Sequence, residues 1–202
     1  MKIAVIGPPW IPIPPPKYGG TELVVYNLVE GLTELGHEVI LFGPKESKVS
    51  CRLMPYMEND RYFGLESPEL TKGIVGGLIA KYAFARAGYE GVDIIHCHTL
   101  DIPEVDIPCV YTLHGPANEG AILRCAELSE NPKNGFVSIS KRQQQLHTAL
   151  NDKINFLGNA YNCINAKVIE WKKKKEDFYL FAGRVNWEKG LDLAIRVASK
   201  AG

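Results

Sequence analysis

KIAVIGPPWIPIPPPKYGGTELVVYNLVEGLTELGHEVILFG, residues 2–43, decides the reading of the fold. Ile3 to Ile6 is an unbroken apolar run rich in β-branched residues, which suits a strand covered on both faces. From Thr21 to Leu35, Val24, Leu28, Leu32 and Leu35 recur at helical spacing, and Gly36 follows as a stop. HEVILFG (37–43) then reads as a second buried strand. A strand, a helix and a second strand in this order predict parallel pairing.

The segment between the first strand and the helix is unusual. Prolines stand at 8, 9, 12, 14, 15 and 16, and Gly19 and Gly20 follow at the helix mouth. In open parallel sheets, ligands bind at the carboxyl ends of strands, and this loop leaves the first strand at that edge. Each proline fixes its own φ and restricts its predecessor, so the loop is stiff. Two glycines let the backbone approach a ligand with no Cβ between them. A helix N-terminus there offers unpaired N–H groups and positive potential, which suit a phosphate. The same Gly-Gly pair also suits a plain turn. Neither G-x-G-x-x-G nor the P-loop pattern is present. Glu22 in the first turn favours the helix but would repel a phosphate it faced, so it is expected to point aside or cap the backbone.

The alternation continues along the chain. Residues 49–56 predict a short strand and 69–88 a helix weakened by Gly73, Gly76 and Gly77. VDIIHCH (92–98), PCVYTLHG (108–115), GFVSIS (135–140) and KINFLG (153–158) predict strands, and 118–130 predicts a helix. Ser140 with Gln143 fits a capping box opening the helix KRQQQLHTAL (141–150). A lysine-rich linker is expected over 166–177, with four consecutive lysines at 172–175. Beyond it, DFYLFAG (177–183) predicts a strand and GLDLAIRVASKAG (190–202) a helix. One strand and one helix cannot bury a core of their own, so 178–202 reads as the first βα unit of an incomplete second domain.

Bulk properties exclude several function classes. The 202 residues carry 23 basic and 23 acidic side chains, so no net field draws the chain to nucleic acid or to a membrane. The five cysteines form no C-x-x-C pair and read as reduced, mostly buried thiols of a cytoplasmic protein. Neither a secretory signal nor a membrane span is expected. A peripheral membrane contact by the 69–88 helix, through Lys72, Lys81 and Arg86, competes with packing of that helix on the sheet. His96 and His98 share a strand face, but no second ligand pair at zinc spacing accompanies them, and no metal site is expected.

Two further constellations bear on the carboxyl edge. YTLHG places His114 at the end of a strand, and AGRVNWEKG places Arg184 and Lys189 in the loop after another. Two cations near a helix mouth suit a diphosphate, whereas each residue taken singly also fits an ordinary solvated loop.

Taken together, residues 6–43, DIIHCHTL (93–100), YTLHGP (111–116), FVSISKRQ (136–143), AYNCIN (160–165) and FAGRVNWEKGLDLAI (181–195) closely resemble, in order, the family 4 glycosyltransferases. The resemblance implies the GT-B fold, two Rossmann-like domains facing across a cleft. It implies a doubly wound parallel sheet over 1–165 as the acceptor-side domain, followed by a truncated donor-side domain. It implies retaining transfer of a sugar from a nucleotide-sugar to a carbohydrate or lipid-linked acceptor, with no metal or other cofactor. Gly19 and Gly20 would approach the donor diphosphate, Arg184 and Lys189 would neutralise it, and His114 would lie near the transferred sugar as the catalytic-site residue. Tyr161-Asn162-Cys163-Ile164-Asn165 departs from the family's Y-N-G-I-D. The pair of glutamates spaced eight apart and the base and ribose pocket are absent, so a second chain supplying the C-terminal half is an expected partner. A non-catalytic partner subunit and a nucleotide-sugar epimerase are the competing expectations.

Overall fold

The structure is a computed structural model that describes residues 1–56, 69–166 and 173–202. Two compact units divide it, Met1–Ile164 and Asn165–Gly202.

The first unit is built on seven parallel strands: β1 (Lys2–Ile6), β2 (Glu38–Gly43), β3 (Arg52–Pro55), β4 (Ile94–Cys97), β5 (Cys109–Leu113), β6 (Asn134–Ser138) and β7 (Phe156–Asn159). Their order is β3-β2-β1-β4-β5-β6-β7. Among the described residues, four helices connect them: α1 (Gly20–Glu34), α2 (Glu69–Glu90), α3 (Glu119–Ser129) and α4 (Lys141–Leu150). Strand order reverses between β1 and β4, which makes the carboxyl edge there the expected ligand crevice of a doubly wound sheet.

Alternation along each strand assigns the two faces. Ala4, Ile6, Ile40, Phe42, Ile95, Cys97, Tyr111 and Phe136 pack in one cluster with α2 and α3. Ile3, Val5, Val39 and Leu41 pack in another with Val25 and Val29 of α1. Strands covered on both faces need apolar residues at every position, which is why these segments read as continuous runs. The expected packing of α2 on the sheet is what forms: Ile79, Ala83, Phe84 and Ala87 are buried. Each large side chain among them stabilises the fold by about 1.5–3 kcal/mol. At the amino edge, Glu90 gathers Arg52, Arg86 and Lys2 and so ties β3, α2 and β1 together.

Helix α1 stops where expected. Gly36 adopts φ +82°, a left-handed conformation that glycine accepts freely, and its N–H reaches the Thr33 carbonyl. The proline-rich loop is anchored through Ile13, whose side chain is fully buried. The Ile13 N–H donates to Ser47 Oγ at 3.0 Å, and its carbonyl accepts from Lys48 N–H at 2.7 Å. The loop therefore folds back over the ends of β1 and β2 instead of projecting into solvent.

The second unit departs from expectation at one element. DFYLFAG forms no strand: Phe178, Tyr179 and Leu180 are exposed, and no described neighbour pairs with their backbone. A strand with no partner leaves its N–H and C=O groups to water, and local propensity alone does not hold it. The helix does form, as α5 (Leu191–Ala201), preceded by a short 3-10 turn at Trp187–Lys189. Among residues 173–202 none is buried. Of the expected linker, residues 167–172 lie outside the described residues.

Candidate functional site

The carboxyl edge of the sheet carries three features. The first is the mouth of α1. Gly19 is its N-cap, and the Gly19 carbonyl accepts from Leu23 N–H at 3.0 Å. The amides of Gly20, Thr21 and Glu22 meet no acceptor among the described residues. That is the ordinary state of an open helix N-terminus, and it leaves donors for an anion. The two glycines differ. A Cβ on Gly19 would stand 2.6 Å from Pro15 Cβ and 2.8 Å from Glu22 Oε2, whereas one on Gly20 would meet nothing within 4 Å. The bare Cα of Gly19 serves internal packing, and Gly20 is the exposed position. Glu22 is buried, and its carboxylate lies beside Gly19 at the helix mouth without making the expected cap hydrogen bond.

The second feature is a column of histidines. Register pairs His96 of β4 with Val110 of β5, so His96, His98, Thr112 and His114 project from the same face. His96 Nε2 lies 2.7 Å from Thr112 Oγ1, and His98 Nδ1 lies 2.8 Å from His114 Nε2. The rings of His96 and His98 stack at 4.6 Å, and those of His98 and His114 at 5.1 Å. Burial depresses all three. His96 is brought to about 4, with the neighbouring His114 adding to the effect; His114 is brought to about 4 by burial alone. His98 falls well below the ordinary value, through burial first and then its two neighbours. At neutral pH the column is uncharged. His96, His98 and Thr112, but not His114, line a groove of about 440 Å³ between α1 and the sheet, together with Leu28, Leu32 and Val137.

His114 is also held through its backbone. Gln143 Nε2 donates to the carbonyls of Leu113 at 3.1 Å and Gly115 at 2.7 Å, on either side of it. The expected capping box accounts for half of this arrangement: Ser140 Oγ accepts from Gln143 N–H at 3.0 Å. Gln143 Oε1 reaches one residue further back than the motif predicts and accepts from Ile139 N–H at 2.9 Å. The sequence signals the cap but not the clamp on His114.

The third feature is a pocket of about 200 Å³ at the β1/β4 reversal, lined by Gly7, Trp10, Tyr56, Gly76, Thr99 and Asp101 among others. Tyr56 Oη donates to the Gly7 carbonyl at 2.6 Å and fixes the start of the proline-rich loop. No sequence pattern marks this pocket, because its walls come from four separate stretches of chain.

Gly20 and His114 therefore share the carboxyl edge of the first unit. Arg184 and Lys189 belong to the second. There Lys189 is exposed, Asn186 Oδ1 caps the short turn by accepting from Lys189 N–H at 3.2 Å, and Arg184 lies 4.0 Å from Glu188. Among the described residues no three His, Cys, Asp or Glu side chains converge as metal ligands, and no helix is long and apolar enough to cross a membrane. Cys97, Cys109 and Cys125 are buried, and burial pushes their thiols up to about 12, 11 and 12.

Residues 18–150 match the model of the glycosyltransferase family 4 domain, which is well over half of the chain. The chain belongs to glycosyltransferase family 4. The family 4 match contains the mouth of α1, the histidine column and Gln143, and it ends before Arg184 and Lys189. Among solved structures, this family 4 chain is similar to AviGT4, a glycosyltransferase involved in avilamycin A biosynthesis. The identity is 26%, the TM-score is 0.59, and the match covers 94% of this chain and 50% of that one. The fold is thus the Rossmann-like half of a GT-B glycosyltransferase, and the chain spans half the length of that relative. No curated protein matches it.

Proposed function

We propose that the chain is the acceptor-side half of a retaining, metal-independent glycosyltransferase, with the start of the donor-side half, acting on a nucleotide-sugar. The observation that carries this reading is the open first turn of α1 at the same sheet edge as the neutral His114. The amides of Gly20 and Thr21 take the donor diphosphate, and the positive end of α1 favours its charge. His114 lies against the transferred sugar. Arg184 and Lys189 neutralise the leaving diphosphate, whose charge grows as the glycosidic bond breaks and is stabilised most at that moment. The acceptor, a carbohydrate or lipid-linked alcohol, enters from the first unit. Residues 1–165 form the acceptor-side domain, 166–177 a linker and 178–202 the first part of the donor-side domain.

The reading requires a donor-side lobe beyond these residues, and for the test that lobe is supplied as a separate polypeptide. The test mixes the purified chain with such a lobe and follows transfer from radiolabelled nucleotide-sugars. Transfer by the mixture that Gly20→Val and Arg184→Ala each reduce at least about tenfold supports the proposal. A stable mixed complex that is inactive with every donor refutes it. The second reading, a non-catalytic partner subunit, draws on the absence of buried residues across 173–202. Under it, the two substitutions leave complex formation and the partner's turnover unchanged.

A further inference from the structure

The hydrogen bond between His98 and His114 constrains both rings more than a surface contact would. Two neutral imidazoles 2.8 Å apart share a single proton between Nδ1 of His98 and Nε2 of His114. Two arrangements satisfy that count. In one, His98 donates from Nδ1, its own Nε2 is a bare acceptor, and His114 carries its proton on Nδ1. In the other, His114 donates from Nε2 to His98 Nδ1, and His98 carries its one proton on Nε2, away from the pair.

The surroundings of His98 separate the two. His98 Nε2 is fully buried and has no hydrogen-bond partner among the described residues. Orphaned buried N–H groups are rare in folded proteins, and idle acceptors are somewhat less rare. The first arrangement leaves a lone pair idle. The second strands an N–H beside the groove walled by Leu28, Leu32 and Val137. The stack on His96, with ring planes 15° apart, keeps His98 from turning to find another partner. His96 is itself held at Thr112 Oγ1. His114 Nδ1 makes no hydrogen bond among the described residues, so it remains available to a ligand.

We propose that His98 is a positioning residue that holds His114 in the tautomer protonated on Nδ1, so that His114 meets its ligand as a neutral hydrogen-bond donor and not as a base. The part played in sugar transfer rests on the function proposed above; the tautomer does not. A fixed neutral donor suits a sugar hydroxyl or a phosphate oxygen, and it does not deprotonate an acceptor. The acceptor's proton then has to leave by another route, such as an oxygen of the departing diphosphate.

The test is a two-bond proton–nitrogen correlation spectrum of the full chain labelled with nitrogen-15 histidine, with rings assigned through single substitutions. The expected result is a proton on Nδ1 of both His98 and His114. His98→Phe keeps a flat ring without nitrogen and should release His114 to a mixture of tautomers. His98→Asn places an amide donor where Nδ1 stood and should restore the Nδ1 tautomer. A His114 proton on Nε2 in the unmodified chain overturns the proposal, and so does a His98→Phe spectrum in which His114 is unchanged. Should His98→Phe fail to fold, the unmodified spectrum decides alone. An inactive transferase with the expected tautomers sinks the functional reading and leaves the positioning role standing.

Discussion

The Gln143 side-chain amide donates to the Gly115 carbonyl at 2.7 Å, and this single contact links the start of α4 to the residue that follows His114. The same amide nitrogen also holds the Leu113 carbonyl, while its oxygen serves Ile139 N–H. The position is buried, so these backbone groups have no ready substitute in water.

Gln143→Leu should therefore cost about 2–3 kcal/mol, three contacts at roughly 1 kcal/mol each. Ser140→Ala removes only the cap and should cost about 1 kcal/mol. Urea titrations of the two variants measure the difference. Equal losses would mean that Gln143 acts as a cap residue and nothing more. In the assembled transferase, Gln143→Leu should also lower transfer in excess of its effect on folding, since it frees the backbone on both sides of His114.

The paired glycines give a contrast within one dipeptide. Gly19→Ala drives a Cβ into the Pro15 ring, 2.6 Å and 2.9 Å from its Cβ and Cγ. A proline ring in an anchored loop cannot swing aside as a flexible side chain would, so the loop or the start of α1 must shift. We expect a loss of about 1–3 kcal/mol, the usual range for overpacking. Gly20→Ala meets open space and replaces a poor helix former, so stability should hold or rise slightly. Thermal melts of the two proteins read this directly. A Gly20→Ala protein as unstable as Gly19→Ala would show that Gly20 is not the open position. Nucleotide-sugar affinity is the complementary measurement: Gly20→Val should weaken it without unfolding the chain.

The sheet was legible because its strands are covered on both faces, and continuous runs such as VILF leave little room for another reading. Boundaries were less so. VDIIHCH contains the four-residue strand Ile94–Cys97, and KINFLG gives way to Phe156–Asn159, because register with β6 shifts between Phe136 and Val137. DFYLFAG failed for a different reason: its apolar character reports what it would bury, and the strand requires a neighbour that the described residues do not supply. At the site, the mouth of α1 and the strand end at His114 were visible as Gly-Gly and YTLHG. His96 and His98 were legible as an alternating pair on one strand face, without their contacts to Thr112 and His114. Those contacts depend on the pairing of β4 with β5, which no local pattern states. Gln143 was visible only as a cap for the same reason.

The histidine column makes a pH dependence of stability that can be stated with its sign. His96 and His114 stand at about 4 in the folded chain, against 6.5 for the free side chain, and His98 is displaced in the same direction. The unfolded chain therefore takes up protons that the fold refuses as pH falls below 6.5. Stability present above that value is lost progressively between about pH 6.5 and 4, where the folded rings begin to protonate as well. For His96 alone the full displacement corresponds to about 3 kcal/mol. Each ring that titrates contributes up to about 1.4 kcal/mol per pH unit, so two or three acting together should give a slope steeper than one proton can produce. Denaturant titrations at pH 8, 6.5, 5.5 and 5 measure it, and the double variant His96→Gln/His114→Gln should flatten the curve. Stability that is unchanged from pH 8 to pH 5 would mean that the rings protonate as readily in the folded chain as in the unfolded one, and the column would then not be a neutral stack at pH 5.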